Sequence, residues 1–182
     1  PVAIEAAQSP LLISQPPPLP VVQPAIKCQK CGHEFLPDME TTRANNAGLP
    51  CNIAPGKRTA GIANPDWAAA FIMLPWYVYL FYGNRGVLLR HWDGMRFLMD
   101  HFEKQAADGI LAGGFGDWFD PGREKCCNHT PPTLTTTLWY YQCAQVMARA
   151  AAISGHPADA EHYAKLAVTV GNAFNKRYYD PV

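Results

Sequence analysis

Two successive stretches of this chain follow one plan: a polar loop, a mostly apolar helix, a short glycine turn and an amphipathic helix running back. In the first, Asn64-Pro65-Asp66 supplies capping chemistry, Trp67 to Phe81 is apolar almost all round, and Gly83-Asn84 turns the chain. The returning helix carries Leu88, Trp92, Met95, Met99 and Phe102 at helical spacing, which makes one apolar stripe. In the second, Thr130 is the expected cap and Pro131 or Pro132 occupies the first turn. Leu134, Leu138, Tyr141, Gln145, Ala148 and Ala152 then carry the helix to Gly155. His156-Pro157 starts the return, with Ala160, Tyr163, Ala167, Val170 and Phe174 on one face. Pro75 is expected to kink the first helix, because it removes an amide donor and crowds the preceding turn. No segment alternates as a strand would. A helical hairpin repeated in this way predicts an all-α solenoid or toroid, about four helices in two hairpins, with apolar helices inside and amphipathic ones outside.

That plan has a geometric consequence for function. Both glycine turns lie at one end, so the long loops and the starts of the inner helices share the other. Trp67 opens the first inner helix, and Trp118 lies in the long loop, about Ala106 to His129, before the second. The two indoles are therefore expected at one mouth. Around Trp118 the sequence reads Gly113-Gly114-Phe115-Gly116-Asp117-Trp118-Phe119-Asp120. Glycines let backbone approach a ligand closely, an indole offers a flat apolar face, and carboxylates accept hydrogen bonds from hydroxyls. Trp67, Trp118 and Asp117 are thus the candidate residues of a carbohydrate site. The alternative for both tryptophans is that they fill helix ends in the core, the environment expected for Trp76, Trp92 and Trp139 in mid-helix.

Charge and composition narrow the partners. The 15 basic and 15 acidic side chains cancel without a run of like charge, which disfavours nucleic acid or an anionic membrane. An aromatic content of 12% beside only 16% charged residues suits a neutral polyhydroxy ligand. Trp67 to Tyr82, the most apolar stretch, falls short of the ~20 residues a membrane span needs and lacks basic flanks, so a buried helix is expected. Residues 1–37 form a proline-rich arm that contains Gln15-Pro16-Pro17-Pro18-Leu19-Pro20 and is expected to be irregular. Within it, Cys28-Gln29-Lys30-Cys31 has the spacing of half a zinc ribbon, with His33 nearby. Cys51 stands alone and Cys126-Cys127 are adjacent, so no second pair at that spacing exists and neither a metal site nor another cofactor is assigned. The irregular placement of the cysteines assigns no compartment either. Pro1 at the start and Asp180-Pro181-Val182 at the end read as interior sequence, and the chain is expected to be a piece of a longer protein.

Several segments in order resemble a known family: Pro50-Cys51-Asn52-Ile53-Ala54-Pro55, Asn64-Pro65-Asp66-Trp67, Leu74-Pro75-Trp76, Gly114-Phe115-Gly116-Asp117-Trp118-Phe119-Asp120-Pro121, Thr130-Pro131-Pro132-Thr133-Leu134 and Ala173-Phe174-Asn175-Lys176-Arg177-Tyr178-Tyr179-Asp180-Pro181. They are similar to the catalytic domain of bacterial α-L-rhamnosidases, glycoside hydrolase family 78. The resemblance begins at about Met39 and makes residues 38–182 a fragment of an (α/α)6 catalytic domain, the rest of whose barrel is not in this chain. It implies an inverting hydrolase that removes terminal α-L-rhamnose. It also implies that Trp67 and Trp118 line the rhamnose subsite, with Asp117 as a neighbour. The family's acid and base are glutamates in segments upstream and downstream that match nothing here, so no catalytic residue is assigned and the isolated chain is expected to be inactive. After Trp67 the family usually places a glycine, whereas here Ala68 and Ala69 follow. Two alternatives stand beside this reading: a six-hairpin glycosidase of other specificity that uses Asp117 or Asp120, and a noncatalytic sugar-binding module of α-repeat type.

Overall fold

The computed structural model describes residues 48–50, 52, 63–117 and 130–179. Among the described residues five helical elements follow one another in order: α1 (Pro65–Ala68), α2 (Ala70–Tyr82), α3 (Arg85–Gln105), α4 (Pro132–Ser154) and α5 (Pro157–Tyr178). The proline-rich arm, Cys28, Cys31, His33, Cys51, Trp118 and Asp120 lie outside the described residues.

The two hairpins form as the glycine turns predict. Gly83 and Gly155 both take the left-handed conformation at the ends of α2 and α4, where their amides bond the carbonyls of Tyr79 and Ala151. The first inner helix differs in one respect. It is not one rod from Trp67 but a single turn, α1, that hands over at Ala69 to α2. Helix α2 runs through Pro75 without ending, so the interruption lies at Ala69 rather than at the proline.

Along α3 the whole anticipated stripe is buried, and on α5 so are Tyr163, Ala167, Val170 and Phe174, with Ala160 half-buried. On α4 the stripe is displaced. The buried residues are Thr136, Thr137, Tyr140, Cys143, Ala144, Val146, Met147, Ala148, Ala150, Ala151 and Ser154, while Leu134, Leu138, Tyr141, Gln145 and Ala152 are half-buried. A helix apolar on most sides leaves periodicity a poor guide to which side meets the core. Trp76 and Trp92 are core residues, but Trp139 is not: it is 38% exposed on α4.

Helix α4 sits centrally. It packs most extensively on α5, and also on α3, α2 and the short α1. One continuous core joins the two hairpins: Phe71, Ile72, Leu88, Met95, Met99 and Phe102 meet Tyr140, Met147, Tyr163 and Val170. The Phe102 and Tyr140 rings cross edge to face with centroids 6.3 Å apart, an arrangement favoured by the aromatic quadrupoles.

Between α3 and the long loop, the chain reverses in a tight turn. Ala107 and Ile110 exchange two backbone hydrogen bonds of 2.9 Å each, with Asp108 and Gly109 both at positive φ. Asp-Gly favours this mirror-image turn geometry, and it aims the following residues at the start of α4. Among the described residues no strand forms, and no helix is long and apolar enough to cross a membrane.

Candidate functional site

Loop residues 111–117 lie across the start of the first inner helix, and specific bonds at both ends of the segment hold them there. The root is Leu111, which is fully buried against α4. Its amide donates to Thr137 Oγ1 at 3.1 Å, and its carbonyl accepts from Thr136 Oγ1 at 2.7 Å and from Thr137 Oγ1 at 3.3 Å. Two adjacent threonines at 0% exposure thereby satisfy both polar groups of one buried loop peptide. Threonine is a modest helix former, but its short hydroxyl reaches a neighbouring backbone without leaving the helix surface.

The far end is held by Asp66. Its Oδ2 accepts the amide of Phe115 at 2.6 Å and that of Gly116 at 2.9 Å. Charge-assisted bonds of this kind are shorter and stronger than neutral ones. The carboxylate stands in the first turn of α1, where the helix amides favour negative charge. Gly114 makes the approach possible. A Cβ there would lie 2.3 Å from Thr136 Cγ2 and 3.0 Å from each Asp66 oxygen, and its φ of +83° suits glycine. The other oxygen, Oδ1, is buried with no hydrogen-bond partner among the described residues.

The capping roles expected from sequence are therefore corrected. Asn64 stands at the N-cap but makes no side-chain cap bond; instead its own amide donates to Asn52 Oδ1 at 2.9 Å. The next amide back, that of Ala63, donates to the Pro50 carbonyl at 3.0 Å, which ties the incoming chain to the same region. Thr130 does not cap α4, whose N-cap position is Pro131, with no side chain that could donate or accept.

As for the anticipated site residues, Trp67 is half-buried, and its ring lies against that of Phe115 with centroids 5.0 Å apart and planes tilted by 52°. Asp117 follows two residues later and is exposed. The loop that leads to Trp118 thus runs beside Trp67, although Trp118 and Asp120 themselves lie outside the described residues. Sequence reasoning missed Asp66 as a tie between segments, Phe115 as the partner of the indole, and the threonine pair. Two signals were present: an acid directly before the tryptophan, and three consecutive threonines in a segment otherwise suited to a helix. Among the described residues no group of three or more histidine, cysteine, aspartate or glutamate side chains could hold a metal ion.

Comparison with known proteins gives one consistent picture. Residues 20–182 match the family model for the bacterial alpha-L-rhamnosidase 6 hairpin glycosidase domain. An alpha-L-rhamnosidase of Formosa agariphila is 29% identical over 135 residues, 71% of this chain and 14% of that protein. One from Streptomyces avermitilis is 29% identical over 147 residues, 80% of this chain and 13% of that protein. Among solved structures, the alpha-L-rhamnosidase of Dictyoglumus thermophilum superposes with a TM-score of 0.75 at 28% identity, covering 81% of this chain and 17% of its own. The Streptomyces avermitilis enzyme complexed with L-rhamnose gives a TM-score of 0.70 at 25% identity, over 81% of this chain and 14% of its own. The chain spans only 13–14% of the length of these two curated relatives.

Proposed function

Since the chain belongs to the bacterial alpha-L-rhamnosidase six-hairpin glycosidase domain family, we propose that it is part of the catalytic barrel of an enzyme that removes terminal α-L-rhamnose, and that it contributes walls of the sugar subsite. The observation that carries this reading is the loop clamped beside Trp67 at the start of the inner helix, whose described part ends at Asp117, directly before Trp118 in sequence. Trp67 and Trp118 pack on the apolar faces and the methyl group of the deoxy sugar, and Asp117 accepts a hydrogen bond from a ring hydroxyl.

The chemistry is inverting hydrolysis. A carboxylic acid protonates the glycosidic oxygen while a carboxylate about 6.5–9.5 Å from it activates water on the opposite face. Neither group is assigned to this chain. Its residues bind and orient the ring, which is how the positioning share of a barrier is lowered. Similarity to a relative solved with L-rhamnose supports the choice of sugar.

The test is a titration of the 182-residue chain with L-rhamnose, following the indole NH resonances, with D-glucose as control. Shifts at Trp67 and Trp118 specific to L-rhamnose, lost in Trp67→Ala, and no release of phenol from an aryl α-L-rhamnoside are the expected results. Equal response to both sugars removes the assigned specificity. Turnover abolished by Asp120→Asn would move the chemistry into this chain.

A further inference from the structure

We infer that Asp66 is a positioning residue for the sugar subsite: by gripping the backbone of Phe115 and Gly116 it fixes the loop that backs the Trp67 indole and carries Asp117 and Trp118. The inference rests on the sugar-site reading above and deepens it by naming what holds the walls.

The argument begins with adjacency. Asp66 and Trp67 are consecutive, so the acid that grips the loop and the ring the loop packs against share one rigid turn, α1. The grip at Phe115 and Gly116 spans 49 and 50 positions of sequence. It also falls on the very residue whose ring lies 5.0 Å from Trp67. Bond and ring contact therefore act together: the carboxylate sets the backbone height of residue 115, and that height sets the tilt of Phe115 against the indole. From Gly116 the chain runs directly into Asp117 and Trp118.

Steric detail supports a built device. Gly114 sits so close to both carboxylate oxygens and to Thr136 Cγ2 that only a residue without Cβ fits. With Leu111 locked on Thr136 and Thr137, the loop is fastened four residues apart, between helix α4 and the α1 turn. Loops pinned at two points lose little further entropy when a ligand arrives, which is the benefit of preorganisation. The direct role of Asp66 is thus on the protein backbone, and its effect on the sugar passes through Phe115, Trp67 and the residues after Gly116.

The experiment compares the full 182-residue chain with Asp66→Ala and Asp66→Asn, by amide exchange and by L-rhamnose titration. Alanine removes both acceptors, whereas asparagine keeps one oxygen of the same shape without the charge. In Asp66→Ala, exchange at Phe115 and Gly116 is expected to rise about tenfold or more and L-rhamnose affinity to fall about tenfold, with Asp66→Asn between it and wild type. Core amides such as those of Leu98 and Val170 serve as the internal reference and keep wild-type protection, which separates release of the loop from unfolding. Unchanged exchange at Phe115 and Gly116, or faster exchange with undiminished affinity, overturns the inference. A wild-type chain that does not bind L-rhamnose instead brings down the sugar-site reading and the inference with it. In that case the exchange arm still reports separately whether Asp66 holds the loop.

Discussion

Placing a methyl group at Gly114 is the sharpest perturbation the loop offers, because Gly113 beside it is an almost ideal control. Both residues have positive φ, +96° at Gly113 and +83° at Gly114, so alanine at either carries a backbone penalty of about 1–2 kcal/mol. Their surroundings differ. A Cβ at Gly113 meets nothing within 4 Å, while at Gly114 it meets Thr136 Cγ2 at 2.3 Å and both Asp66 oxygens at 3.0 Å. Thr136 is wholly buried and hydrogen-bonded to Leu111, so its methyl group has little freedom to retreat. Overpacking of this kind costs about 1–3 kcal/mol more, which brings Gly114→Ala to about 2–5 kcal/mol against about 1–2 for Gly113→Ala. In a domain of this size each kcal/mol lowers Tm by about 2–4 °C, so thermal unfolding followed by circular dichroism resolves the difference. If the loop escapes the clash by lifting off Asp66, the loss in Tm is smaller, but the Phe115 and Gly116 amides exchange faster. Equal Tm values for the two variants, with exchange at both amides as in wild type, would refute the packing argument.

Two further outcomes follow from the same structure. Thr137→Val preserves shape but leaves the buried Leu111 amide without its 3.1 Å acceptor, so a loss of about 1–3 kcal/mol in denaturant-induced unfolding is expected. A variant as stable as wild type would show that the loop root is held by packing alone. Burial pushes the Cys143 thiol up to about 12 from an ordinary 9.0, and it also raises Tyr140 and Tyr163, with a smaller push from the nearby carboxylates. Groups with raised folded values stabilise the native state fully below their unfolded values. Urea midpoints should therefore hold steady to about pH 9 and fall as pH rises toward 12, with Cys143→Ala flattening the first part of that decline.

How far the sequence could be read depends on which force set each feature. Hairpin order, the glycine turns and the buried stripes of α3 and α5 follow from local chemistry and from one-sided helices, and both leave a periodic trace. Helix α4 left a blurred one, since a helix that touches α1, α2, α3 and α5 is apolar on most sides and its stripe was placed on the half-buried face. The same ambiguity misplaced Trp139, whose mid-helix position says nothing of which way it faces. At the candidate site, the resemblance and the end-to-end geometry brought Trp67 to the long loop, and Phe115 lies against it. Asp66 was read as capping chemistry because proline, acid and helix start are adjacent, yet its partners lie 49 and 50 positions away. No periodicity encodes such a tie. It becomes visible only when two facts are joined: a carboxylate at a helix start, and a glycine at the one loop position where a side chain would keep the loop away from it. A run of glycines before an aromatic and an acid in a long interhelical loop is thus better read as a demand for close approach to some other backbone or carboxylate than as flexibility. In this chain that demand is met by the residue immediately before Trp67.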